Sequence, residues 1–281
     1  MKENWTTVLK PKKKWFEFNF AEIWAYRDLT GLFVRRDFVS VYKQTILGPI
    51  WFFIQPIFTT IVFTVIFGNI AKIPTSGIPR HLFYLAGIIN WNFFADCLTK
   101  TSNTFKTNSS IFGKVYFPRL VVPISIVISN LITYTIQFTL FLILFFSYYF
   151  QNNASLNLGA TIFIFPLLII QMALLGLGFG IIVSSMTTKY KDLALAVTFG
   201  IQLWMYATPV VYPMSEVPGR WKWLFFINPM APVIEIFRNA FFNLNQIDWT
   251  NYMYSWVITI AILFIGLTFF NRVEKTFMDT I

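Results

Sequence analysis

Glu235 and Arg238 lie three residues apart in an apolar stretch, so a single helix brings them side by side. Paired, they neutralise each other at membrane depth, where either charge alone is costly. A structural ion pair is the plain reading. Its setting in the proline-rich segment 212–249, after Pro213 and Pro229, makes an outer gate the functional expectation. The rest of the inventory speaks against catalysis. His81 is the only histidine and follows Arg80 in a polar stretch, where a solvated surface role is expected. Asp96, Glu235 and Asp248 are too widely separated to show the spacing of a carboxylate pair. Cys97 is the sole cysteine, which rules out an internal disulfide and a CxxC metal pair. We therefore expect no catalytic residue, no metal and no cofactor of the chain's own. A phosphate-cradling loop is missing as well: the only Gly-Lys, Gly113-Lys114, is followed by Val115 and has Asn108 where the first glycine belongs. Any ATP-driven work needs a second protein.

Aromatic residues are the other resource, with 34 Phe, 12 Tyr and 10 Trp. Most fit lipid-facing or interfacial positions. Trp51, Phe52, Phe53, Trp91, Phe93, Phe94, Trp204, Tyr206 and Tyr212 stand out because they lie in or beside stretches interrupted by polar residues or proline. Such rings stack on the apolar faces of sugars, while Asn90, Asn92 and Gln202 offer hydrogen bonds to hydroxyls. The expected substrate path takes Trp51, Phe52, Phe53, Asn90, Trp91, Asn92, Phe94, Trp204, Tyr206 and Tyr212.

The elements that position these residues follow from hydropathy. Of 281 residues, 56% are hydrophobic and 12% charged, against about a quarter charged in soluble domains. The apolar residues form runs long enough for a bilayer core of about 30 Å. The fold class expected is all-α, a polytopic membrane protein with six spans near residues 49–70, 82–101, 120–150, 158–186, 193–211 and 252–270. Residues 1–48 form a cytoplasmic segment before a single transmembrane domain, 49–281. In it Phe16, Phe20, Ile23 and Trp24 fall at helical spacing, which predicts an amphipathic helix on the membrane surface. Gln55-Pro56 predicts a kink near Ile54. Asn90, Asn92 and Asp96 must face protein or water, since lipid cannot satisfy them. The third span is 31 residues long, roughly 46 Å, so it tilts or starts outside the hydrocarbon. Gly176, Gly178 and Gly180 invite close helix approach. Residues 212–249 combine four prolines with two apolar pieces, which predicts a broken, re-entrant helical pair.

Charge position sets the orientation and disposes of a nucleic-acid partner despite the net charge of +10. With the N-terminus inside, cytoplasmic segments carry 17 Lys and Arg and outer segments five. Both termini are thus expected in the cytoplasm. Near the cytoplasmic entrance, Arg35, Arg36, Lys43, Lys114 and Arg119 suit a diphosphate head group or an acidic partner surface, or serve as positive-inside anchors.

Seven pieces in register carry a resemblance: Tyr42-Lys43-Gln44-Thr45 with Leu47-Gly48-Pro49-Ile50-Trp51 and Gln55-Pro56; Trp91-Asn92-Phe93-Phe94; Lys114-Val115-Tyr116-Phe117-Pro118-Arg119; Tyr190-Lys191-Asp192; Pro209-Val210-Val211-Tyr212-Pro213; Asn228-Pro229-Met230; and Glu235-Ile236-Phe237-Arg238. The chain resembles the permease subunit of ABC-2 type polysaccharide exporters. It is most similar to O-antigen (lipopolysaccharide) exporters, with teichoic acid and capsule exporters as relatives. The resemblance implies an ABC-2, type V exporter-like fold in the bacterial inner membrane. It implies a homodimer with two ABC ATPase subunits, which bind the ATP and Mg, and a glycan on an undecaprenyl-diphosphate carrier as cargo. ATPase coupling would fall to Glu22, Arg27, Asp28, Lys106, Asn108, Tyr190, Lys191 and Asp192. Exporters of drugs or simple lipids are the nearer alternative, and an intramembrane glycosyl or acyl transferase, lacking a catalytic constellation here, the remoter one.

Overall fold

The computed structural model describes residues 20–43, 47–151, 160–187, 190, 192–244 and 247–280. Lys12, Lys13, Lys14, Phe16, Gln44, Thr45, residues 152–157, Lys189 and Lys191 lie outside them. Among the described residues the chain is helical without strands. It begins with α1 (Phe20–Ala25) and α2 (Arg27–Tyr42), then α3 (Trp51–Phe63), α4 (Arg80–Ser102), α5 (Thr104–Thr107) and α6 (Ser109–Phe112). There follow α7 (Val121–Gln151), α8 (Phe165–Thr187), α9 (Leu193–Tyr206), α10 (Lys222–Ile227), α11 (Met230–Phe242) and α12 (Trp249–Thr280).

Among the described residues, four stretches are long and apolar enough to cross a membrane: Gly48–Ile70, Val121–Gln151, Thr161–Thr187 and Trp249–Glu274. The other two expected spans correspond to α4 and α9. Although α4 has 23 residues, enough to cross, it is diluted by its polar side chains. With only 14 residues, α9 rises about 21 Å, short of a bilayer core. It stops at Tyr206 rather than at 211 because the chain turns through Ala207–Val210 ahead of Pro213, with Thr208 Oγ1 bonding back to Trp204 O at 2.8 Å. Conversely α12 runs far past the expected end at 270, carrying Arg272 and Glu274 on the same helix.

Two local expectations change form. Helix α3 continues through Pro56, and the irregularity appears about two turns later as a π-helical stretch, Thr64–Ile70. There Gly68 sits so close to the Arg80 side chain that a Cβ would lie 2.9 Å from its Cδ. Arg35 and Arg36 lie on α2, and Lys43 caps its end. Of the interfacial pattern, Ile23 packs with Tyr26 and Leu29 toward Phe33, while Trp24 is 72% exposed and points away from that cluster.

At the centre stands α4, with α3, α7, α8, α9 and α11 around it. Every residue from Leu82 to Trp91 is buried. This placement explains why the least hydropathic span tolerates asparagines: its solvent is protein. Glycines set the closest seam. A Cβ on Gly176 would lie 2.5 Å from Cys97 Cβ and one on Gly180 2.5 Å from Thr101 Cβ, so both press against α4. Gly178 faces α12, where a Cβ would meet the Leu263 backbone at 3.1 Å. Aromatic packing of α7 on α11, such as Phe141 against Phe241 at 5.1 Å, completes the core.

Candidate functional site

At the first end of α4, the broken segment 212–249 forms two helices, α10 and α11, separated by Asn228-Pro229. Arg238 of α11 is 1% exposed and inserts between α4 and the chain leaving α9. It donates Nη1 to Pro209 O at 2.6 Å, and Nη2 to Val210 O at 2.7 Å and Phe83 O at 3.2 Å. Its guanidinium carbon lies 3.5 Å from the Phe83 ring centre. Gly87 leaves the room required, since a Cβ there would sit 2.8 Å from Arg238 Nη2. The expected partner Glu235 is present at 3.8 Å from Nη1, but its side chain is partly exposed and its Oε1 accepts Met214 N–H at 3.1 Å. The pair exists, yet three carbonyls and a ring hold Arg238 more than the carboxylate does. Pro229 closes the α10–α11 break: its carbonyl accepts Ser255 Oγ at 2.7 Å, and Ser255 in turn accepts Gln171 Nε2 at 2.6 Å. Pro213 ends the turn after α9, before Met214.

The expected substrate path divides in two. Asn90, Trp91 and Phe94 are buried within the chain. Asn90 Oδ1 accepts the Tyr134 hydroxyl at 3.0 Å and its Nδ2 donates to Ala86 O at 2.7 Å. Trp91 and Phe94 pack edge-on against Trp204 at 6.0 and 5.2 Å. Within this chain these side chains spend their polar and apolar surface on one another. Trp51 and Tyr206 remain about half exposed, Phe52 and Phe53 partly so, and Asn92 is half-buried. Tyr212 donates its hydroxyl to Tyr206 O at 2.9 Å and borders a cavity of about 870 Å³ with Trp204, Trp221, Phe225 and Asn228. Tyr134→Phe is expected to lower stability by about 1–2 kcal/mol through an unsatisfied Asn90 oxygen, measured as a lower thermal unfolding midpoint in detergent.

At the other end of α4, α2 packs against α5, α6 and α7 through Phe33, Phe105, Phe112 and Phe117. Phe105 stacks on Phe270 of α12 at 4.9 Å. The structure joins two residues expected at separate tasks: Arg36 Nη1 donates to Asn108 Oδ1 at 3.4 Å, while Arg36 pairs with Asp37 at 2.7 Å. Arg119 is tied down too, donating Nη1 to Glu274 O at 2.7 Å and its backbone N–H to Glu274 Oε1 at 3.2 Å. It joins the start of α7 to the last turns of α12. Arg27, Asp28, Arg35, Lys43, Lys106, Lys114 and Asp192 are exposed, Tyr190 is 51% exposed, and Glu22 is partly buried. Lys191 lies outside the described residues.

The family model of the ABC-2 type transporter matches residues 29–242. The chain belongs to this family. Among relatives of this ABC-2 protein, the O-antigen export system permease protein RfbA of Klebsiella pneumoniae is 27% identical over 256 residues, 90% of this chain and 94% of its own length. RfbA of Myxococcus xanthus is 23% identical over 263 residues, covering 92% and 98%. The polysialic acid transport protein KpsM of Escherichia coli is 24% identical over 252 residues, covering 87% and 93%. An ABC-2 membrane subunit implies a partner ATPase that binds ATP and Mg.

Several positioning residues of this ABC-2 chain escape a linear reading. Asn228 Nδ2 bonds Thr208 Oγ1 at 2.8 Å and its Oδ1 accepts Met230 N–H at 3.1 Å, lashing the α10–α11 break to the end of α9. Gln171 and Ser255 lie 84 positions apart. Only the Asn-Pro dipeptide carried a local signal, as a turn preceding a helix start.

Proposed function

We propose that this chain is the channel-forming membrane subunit of an ATP-driven exporter that moves an undecaprenyl-diphosphate-linked polysaccharide of O-antigen type across a bacterial inner membrane. The observation carrying this reading is the alignment with O-antigen export permeases of two organisms over 90% or more of this chain. The charge asymmetry supports six spans with both termini cytoplasmic, α4 and α9 joining the four apolar stretches. Two copies enclose the path. The outward apolar faces of α3 and α9, with Phe58, Ile61, Leu195 and Phe199 each more than half exposed, suit that contact. Trp51, Phe52, Phe53 and Tyr206 are the rings open to a passing glycan.

Two ATPase subunits dock under α2, α5 and α6, reached through Glu22, Arg27, Asp28, Lys106, Asn108, Tyr190, Lys191 and Asp192. Movement there is passed to α12 by the Phe105–Phe270 stack and to α2 by Phe33 against Phe117 at 5.8 Å. Arg35, Lys43 and Lys114 stay available to the diphosphate carrier at the entrance. Pro213, Pro229, Glu235 and Arg238 belong to a re-entrant outer gate. The likeness to a polysialic acid transport protein supports a second reading, a capsule-type polymer as cargo through the same machinery.

Reconstitution of the chain with a cognate ABC ATPase tests the proposal. The expected result is ATP turnover coupled to movement of a lipid-linked glycan, both lost when either protein is omitted. Glycan movement by the chain alone overturns it.

A further inference from the structure

One face of α4 is left open by its neighbours, and that face is polar. Phe93, Phe94, Cys97, Leu98, Thr101 and Ser102 are buried, whereas Asn92, Asp96, Thr99 and the C-cap Asn103 are only partly covered. Steps of four, three and four residues place these side chains in one row along the helix. Asp96 and Lys100 keep 48% and 49% of their side chains exposed. Asp96 stands about 7.5 Å along the axis from the helix midpoint at Trp91, well inside a hydrocarbon half-thickness of roughly 15 Å. Lipid does not solvate a carboxylate at that depth, so the row must meet water or a polar surface.

The row runs on into a cleft of about 530 Å³, whose walls include Thr99, Lys100 and Asn103 together with Ser40 of α2 and Ser129 and Thr133 of α7. Phe52, one of the rings expected on the substrate path, lines the same cleft and stacks on Phe38 at 6.0 Å. A polar cleft continuous with a polar helix face makes a wet passage, and a ring beside hydroxyls and amides is a setting that suits sugars. Charge narrows the class. Lys100 pairs with Asp96 at 3.7 Å and donates to Asn130 Oδ1 at 2.6 Å, while Arg36 pairs with Asp37 at 2.7 Å. Both cations of the cleft are thus committed within the chain. A carboxylate-bearing glycan finds neither free to offset its desolvation, whereas an uncharged one needs only hydroxyl partners.

We propose that the open face of α4, from Asn92 through Asp96 and Thr99 to Asn103, forms the cytoplasmic half of the glycan path and selects uncharged sugars. The inference rests on the reading that α4 crosses the membrane and that a glycan is the cargo. Asp96 sets the selectivity by holding Lys100, which alone attracts an acidic chain.

Thiol accessibility in vesicles holding the chain with a cognate ABC ATPase tests it. In a Cys97→Ala background, single cysteines are placed by Asn92→Cys and Thr99→Cys on the open face, and by Ile143→Cys on an exposed apolar face of α7 as the control. Cys97 is fully buried and can be kept where Cys97→Ala lowers the yield. A charged, membrane-impermeant methanethiosulfonate should modify Asn92→Cys and Thr99→Cys many times faster than Ile143→Cys, because it needs a solvated thiolate. Equal rates mean a face covered by lipid and overturn the proposal. A lipid-linked oligosaccharide of neutral sugars should slow the Thr99→Cys reaction severalfold, and the same carrier bearing an acidic oligosaccharide should slow it much less. Adding Asp96→Asn frees Lys100 and should raise protection by the acidic glycan severalfold. Equal protection by the two glycans, or a ratio unchanged by Asp96→Asn, overturns the selectivity. Absence of protection in vesicles that do move a glycan overturns this site alone, while failure of glycan movement overturns the exporter reading, on which the thiol rates do not depend.

Discussion

Arg238→Gln is expected to cost about 3–5 kcal/mol, the penalty typical of breaking a buried charged network by removing one partner. The guanidinium serves the carbonyls of Pro209, Val210 and Phe83 together, and a glutamine amide cannot reach all three. Arg238→Lys should recover little, because an ammonium has neither the planar fork nor the flat face that lies over Phe83. The measurement is the unfolding midpoint and the monodisperse fraction after detergent extraction. An Arg238→Gln protein as stable as wild type sinks the clamp. Glu235→Gln is a milder change, about 1 kcal/mol, since its amide oxygen still accepts the Met214 N–H. This contrast separates two roles. Loss of export in Glu235→Gln with normal folding marks a gate; retained export leaves Glu235 a supporting residue for a structural arginine.

Gly180→Leu is the second large effect. A Cβ alone at this position would lie 2.5 Å from Thr101 Cβ and 3.1 Å from Leu98 O. Thr101 Cβ and the Leu98 carbonyl cannot swing aside, so α8 must separate from α4. Overpacking of this kind typically costs about 1–3 kcal/mol, and leucine at a backbone-limited seam should reach the top of that range or exceed it. Gly200→Ala on α9 supplies the control. Nothing lies within 4 Å of a Cβ there, and the helix gains up to about 1 kcal/mol of propensity. Unfolding in a detergent titration should put Gly180→Leu well below wild type and Gly200→Ala at or above it. The reverse order contradicts the assignment of α4–α8 as the tight seam.

How far the surroundings of Arg238 and of α4 were legible in sequence differs by residue. The i,i+3 spacing of Glu235 and Arg238 announced their proximity, because a helix fixes that geometry without help from elsewhere. It said nothing of Pro209, Val210 or Phe83, which reach Arg238 across 29, 28 and 155 positions. Asn90, Trp91 and Phe94 read as a sugar path because polar and aromatic residues alternate in a membrane span. What no local pattern showed is that α4 is buried on nearly all sides, so that Asn90 accepts the Tyr134 hydroxyl from 44 positions away. Helix ends shifted for related reasons. Tyr206 ends α9 where Asn228 and Arg238 take up the chain beyond it, partners that no window of local hydropathy contains.

The sequence by itself determined that the chain is helical and lives in lipid, that it lacks a phosphate-binding loop, and that residues 212–249 break into short helices. Each depends on composition or on neighbours within a few residues, and a bilayer enforces internal hydrogen bonding on whatever enters it. Only the tertiary structure decided that α4 is the central post, that Gly176 and Gly180 serve α4 while Gly178 serves α12, and that Arg238 clamps carbonyls rather than simply answering Glu235. It alone brought Lys100 and Asn130 together at the cleft beside α2. Those outcomes depend on which helix faces are covered, a property of three-dimensional packing that periodicity in one chain leaves open.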